Sequence, residues 1–148
     1  MPIKETIRTG VVATSVMTAF SYAVSAVEGE NFKEPLLLSL FVKRLTAKQN
    51  KFLDASGWPL HYTLGCIWAG VYTSWTEGLL RKPSFRHMVL FGCFSGTLGV
   101  VIWRALFRHH PNPPQTNRQQ FYQQLFIAHL LFTFSLAKTY RSSFDHRT

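Results

Sequence analysis

The sequence predicts an all-α integral membrane protein: a four-helix bundle with one amphipathic surface helix between spans one and two. Three observations carry the assignment. Residues 9–27, 55–76, 88–103 and 119–137 contain no Asp, Glu, Lys or Arg. The 16 Lys and Arg and the 7 Asp and Glu are confined to the gaps between those runs, and charge is costly inside a bilayer. The runs also lack the polar outer stripe that each helix of a soluble bundle carries. Mean hydropathy is only +0.03, so the placing of the charges decides the class and the average does not. At 148 residues the chain is a single domain, 1–148, with no room for a separate soluble unit.

Span one is expected at about 10–27. Its small and hydroxylated residues Gly10, Thr14, Thr18, Ser21 and Ser25 recur at steps of three and four, a face suited to close packing on neighbouring helices. The longest link, 28–56, holds the expected surface helix at about 35–49. There Pro35 opens a run of Leu and Phe interrupted by Lys43, Arg44 and Lys48, which places a basic face toward lipid headgroups. Span two, about 58–76, opens on Trp58-Pro59, with proline in the first turn where its missing N–H is least costly. Span three, about 88–107, carries Gly92, Gly96 and Gly99, a close-approach face within the bundle or between protomers. The prolines of 108–120 predict a stiff, extended link before span four at about 121–140.

Cys66 and Cys93 fall in antiparallel spans at depths about 15–20 Å apart, too far for a disulfide. Glu77 is expected to pair with Arg81, four residues on. The basic residues near span ends are denser at the termini and in the 77–87 link, which predicts both termini inside. The net charge of +9 is spread over every link without a basic block or nucleic-acid motif, so no nucleic-acid partner is expected. The expected partners are the lipid bilayer and a homo-oligomer or larger membrane complex.

No catalytic residues are assigned. The chain has no nucleophile elbow, HExxH, CxxC, P-loop or dinucleotide fingerprint, and no paired carboxylates within its spans. The candidate ligand or relay residues are His61, His129, His109 and His110, which lie on one side of the membrane in any four-span topology. Imidazoles within spans can ligate haem or a transition metal, here together with Glu34 or Asp54. Their depths, about 8 Å apart if both helices start at the interface, favour separate hydrogen bonds over one shared cofactor.

Thr9-Gly10 with Met17-Thr18, and the run Gly57-Trp58-Pro59-Leu60-His61-Tyr62-Thr63-Leu64-Gly65 with Tyr72, resemble the small YagU-like bacterial inner-membrane proteins of unknown function. The resemblance covers spans one and two. It implies a four-span protein of the bacterial inner membrane, singles out His61, and brings no chemistry. The function expected from these readings is a non-enzymatic assembly or accessory subunit. The alternatives are a haem- or metal-binding redox or sensor module using the intramembrane histidines, and a small transporter or channel subunit.

Overall fold

In the computed structural model, residues 2–46, 51–79 and 84–145 are described, and those residues are all-α. The helices are α1 (Ile3–Glu28), α2 (Glu34–Thr46), α3 (Lys51–Ala55), α4 (Gly57–Leu79), α5 (Phe85–His109) and α6 (Arg118–Asp145). The four expected spans coincide with α1, α4, α5 and α6, each extended by one or more turns. The surface helix is α2, followed by the short α3, with 47–50 outside the described residues. Arg81, the expected partner of Glu77, also lies outside them.

Within α1 most of the buried hydroxyls are satisfied on the preceding turn, Thr9 excepted among the described residues. Thr14 donates to the Gly10 carbonyl (2.7 Å), Thr18 to Thr14 (2.7 Å) and Ser25 to Ser21 (2.7 Å), so most of a polar face can be buried with its hydrogens paired. The helix stops at Gly29, whose φ of 68° is a left-handed conformation that suits glycine. The Ser25 hydroxyl then accepts from the Phe32 amide at 3.0 Å and turns the chain into α2.

The long helices form an arc. α1 packs on both α4 and α6, and α6 packs on α5. The glycine face of α5 receives α6 within the same chain: a Cβ at Gly92 would meet Leu130, one at Gly96 would meet Phe126, and one at Gly99 would meet His129. Similarly, Gly10 of α1 lies against Cys66 and Ala69, and Gly65 of α4 lies against Thr14. Both small-residue faces are therefore filled inside the protein. Cys66 and Cys93 are free.

α4 and α5, the ends of the arc, scarcely approach each other along their backbones. They meet through aromatic rings toward the end that carries the 80–84 link, where Phe91 lies 5.8 Å from Trp68, 5.0 Å from Tyr72 and 5.7 Å from Trp75. At the opposite end α2 spans the opening. Phe41 of α2 packs at 5.8 Å on Trp103 and 5.1 Å on Phe107, and Trp103 packs at 4.9 Å on Phe121 of α6.

The apolar face of α2 is thus spent on the protein: Leu37 and Phe41 are buried. Its basic residues hold neighbouring segments, with Lys43 2.7 Å from Asp54 and Arg44 donating to the Pro113 carbonyl at 2.8 Å. Lys43 and Arg44, expected to face lipid headgroups, instead bind Asp54 and the proline-rich link.

The outer surfaces of α1, α4 and α5 are largely apolar, and α6 exposes Ile127 and Phe134 beside Arg118, Gln119, Gln123 and Lys138. Val12 and Val16 on α1, Leu60, Leu64, Ile67 and Val71 on α4, Leu90, Phe94 and Val101 on α5, and Ile127 and Phe134 on α6 are exposed. By length and composition α1 and α5 are able to cross a membrane. α6 is the least apolar of the four long helices, and α4 and α6 both bury polar residues, His61, Thr73 and Thr76 on one, Gln124, His129 and Thr133 on the other.

Candidate functional site

Polar side chains from four helices converge at the end of the bundle that carries α2. A cavity of about 130 Å³ there is lined by residues of α1, α2, α4, α5 and α6, among them Glu34, His61 and His129. The two histidines expected at different depths therefore share one site. The reason lies at the start of α4. Gly57 is buried under α2, its amide donating to the Ser39 hydroxyl at 2.9 Å. α4 thus begins beneath α2 and not at an open interface, so counting residues from a common starting level misplaces His61.

The hydrogen bonds define how each imidazole presents itself. His129 Nδ1–H donates to the Leu125 carbonyl at 2.9 Å, which leaves Nε2 as the lone-pair nitrogen of the neutral ring. That nitrogen lies beside Gly99, where a Cβ would come within 3.0 Å of it. His61 Nε2 lies 3.0 Å from the Thr18 hydroxyl. Because the single Thr18 proton is committed to the Thr14 carbonyl, His61 Nε2–H is the donor and Nδ1 keeps its lone pair. Thr18→Val preserves the shape but strands that N–H in a buried site. It is expected to cost about 1–3 kcal/mol, read as a lower Tm in mild detergent; an unchanged Tm would mean that His61 has another acceptor.

Glu34, at the start of α2, is 1 % exposed. Its Oε1 accepts from Ser21 at 2.7 Å and from Gln124 Nε2 at 3.2 Å. Its Oε2 is buried without a hydrogen-bond partner among the described residues. Burial pushes this carboxyl up to about 7, against the opposing influence of hydrogen bonding from Ser21, its own backbone and Gln124. In the sequence Glu34 reads only as an accessory ligand, and nothing marks Gln124. Gln124 lies ninety residues from Glu34 along the chain, and a Glu in a charged link reads as solvated.

The remaining sequence candidates lie elsewhere. His109 is exposed. His110 uses both ring nitrogens as a strap: Nε2 donates to the Phe41 carbonyl at 3.0 Å, and Nδ1 accepts from the Asn112 amide at 3.0 Å. With Arg44 on Pro113 and Thr116 donating to the Asn31 carbonyl at 3.0 Å, the proline-rich link is tied over the end of the bundle. Asp54 pairs with Lys43 outside the cavity. Thr14, Thr18, Ser21 and Ser25 form the buried face of α1; of these Thr14 lines the cavity, while Thr18 and Ser21 hold His61 and Glu34.

Among the described residues no three His, Cys, Asp or Glu side chains converge to hold a metal ion. A cavity of about 130 Å³ is comparable with one known to hold a single benzene ring, and a porphyrin has four such small rings and their bridges. No protein-family model, curated protein or solved structure matches the chain.

Proposed function

We propose that the chain is a four-span integral membrane protein that acts by binding, as a non-enzymatic accessory module whose bundle holds a small buried hydrogen-bonding site. The observation that carries this reading is an inversion of the usual polarity. Exposed Val, Leu, Ile and Phe dominate the outside of α1, α4 and α5 and include Ile127 and Phe134 on α6, while His61, His129, Gln124 and Glu34 are buried. In water such a surface would drive aggregation; in lipid it is the matched solvent, and the buried polar groups pair internally as a bilayer requires.

α4 and α6 span on this reading too, with His61, Thr73 and Thr76 of one and Gln124, His129 and Thr133 of the other buried against the protein. α2, α3 and the proline-rich link cap the outer end, and both termini are cytoplasmic. The resemblance to the YagU-like proteins adds the bacterial inner membrane as the location. The small-residue faces that suggested a homo-oligomer are filled within the chain, which shifts the weight of the reading to the internal site.

Topology decides it. Single cysteines at Thr46, Gln115 and Ser84, in a chain with Cys66 and Cys93 replaced by Ser, would be probed with a membrane-impermeant maleimide in intact cells. Positions 46 and 115 should label from outside, and 84 only after permeabilisation. Labelling of 46 and 115 from opposite sides would remove the four-span reading.

A further inference from the structure

We propose that the cavity binds the hydroxylated ring of a membrane-dissolved amphiphile, a phenol- or quinol-type head on a hydrocarbon tail, which reaches it sideways from the bilayer between α4 and α5. The proposal deepens the reading above and rests on it. Four features of the site support this choice of ligand.

The first is size: about 130 Å³ admits one six-membered ring and little more, so a tail has to lie outside. The second is the wall. Leu38, Trp68, Trp103, Leu125 and Phe132 line the cavity, a surface suited to the faces of a ring.

The third is the set of polar groups. His61 Nδ1 and His129 Nε2 hold lone pairs, as their Thr18 and Leu125 partners dictate, and Glu34 Oε2 has no partner among the described residues. With the carboxyl ionised, all three are acceptors. The ligand that satisfies them must donate, so hydroxyls fit where carbonyls or ethers of the same shape do not.

The fourth is the opening. Leu64 of α4 and Ile102 and Leu106 of α5 line the cavity and are 49 %, 47 % and 37 % exposed. They mark a gap between the two helices that do not pack backbone to backbone. On the four-span reading that gap faces hydrocarbon, so a tail can remain in the bilayer while the ring sits inside. Nothing is transferred in this step; the site binds and releases.

The test uses the full chain in phosphatidylcholine nanodiscs at pH 8.5, with quenching of Trp68 and Trp103 fluorescence as the signal. The probe is 4-hexylresorcinol, and the controls are hexylbenzene and the dimethoxy analogue of the probe. The resorcinol should quench saturably and bind about tenfold or more tightly than either control.

Glu34→Gln should reverse the order. Ser21 and Gln124 both donate toward Oε1, so the amide oxygen takes that place and the NH₂ replaces Oε2. A donor then stands where an acceptor stood, and the dimethoxy compound should gain on the resorcinol. Ile102→Phe, at an exposed position, should obstruct the gap and slow binding of the resorcinol about tenfold or more with the polar groups intact.

Equal binding of hexylbenzene, an unchanged preference in Glu34→Gln, or unaltered kinetics in Ile102→Phe would each overturn the proposal. If labelling shows four spans and the resorcinol does not saturate, this inference falls alone. If the chain proves soluble without detergent, the membrane reading falls with it.

Discussion

Gly57→Ala is expected to destabilise the fold by about 3 kcal/mol, although on helix propensity alone alanine is the better residue by about 1 kcal/mol. The added methyl would overlap the Pro35 carbonyl oxygen and lie 2.5 Å from the Ser39 amide nitrogen, both of them backbone atoms of α2 that cannot rotate away. It would also pull the Gly57 amide from the Ser39 hydroxyl, which accepts it at 2.9 Å, leaving a buried amide at the start of α4 unpaired. His61 lies one turn further on, so the same shift disturbs the cavity.

Gly78→Ala is the control. It lies in the same helix with nothing among the described residues within 4 Å of its new Cβ, so that variant should melt at the wild-type temperature or above it. Thermal unfolding of both in one detergent checks the contrast. If both variants melt alike, the α2–α4 junction is not the rigid contact described above.

The contrast also marks what could be read from one sequence. Clearing charge from four segments is a local signal that every residue contributes to, so the long helices were legible nearly to their ends. They run past the expected spans because Lys4, Arg8, Lys138 and Arg141 are good helix residues outside the apolar stretch. The steps of three and four that join Gly92 to Gly96 and Gly99, and Thr14 to Thr18 and Ser21, are set by helix geometry and are equally local. What these faces pack against was not legible, because that depends on how the helices are arranged around one another.

The site was half legible for the same reason. A histidine inside an apolar run stands out, which brought His61 and His129 forward, but their depths were referred to a flat interface. The structure starts α4 beneath α2, a displacement that only the fit of Gly57 against Pro35 and Ser39 produces. His110 carried the same residue type, yet its place in the proline-rich link gives both its nitrogens to the backbone. Glu34 had the weakest sequence signal and has the most unusual surroundings, since Ser21 and Gln124 reach it from helices far away in the chain.

That carboxyl supplies the second large effect. Glu34, in the capping helix outside the four spans, ionises near pH 7 in the folded protein, against an ordinary value of 4.5. The folded state therefore holds the proton more tightly than the unfolded chain does. The resulting stability is fully present below about pH 4.5, is lost as the pH rises toward 7, and changes no further above it. Over that window the loss amounts to roughly 3 kcal/mol.

Other titratable groups sit close by. His61 and His129 line the same cavity, and Tyr22, with Lys33 Nζ 5.1 Å from its ring centre, feels the Glu34 charge. The difference between wild type and Glu34→Gln therefore isolates the carboxyl, where either curve alone would not. The glutamine can keep both hydrogen bonds to its oxygen and leaves one buried polar group unpaired, as the protonated acid does. The two proteins should match near pH 5, and at pH 8 the variant should be the more stable by roughly 1–3 kcal/mol.

Melting curves from pH 5 to 8 in one detergent give the answer, and parallel curves would show that Glu34 is not held in the way described. A gap that opens with pH means the native residue lowers stability at neutrality while keeping one oxygen without a partner. Stability given up at a buried polar group is the usual mark of a residue retained for a contact that the folded chain cannot make by itself.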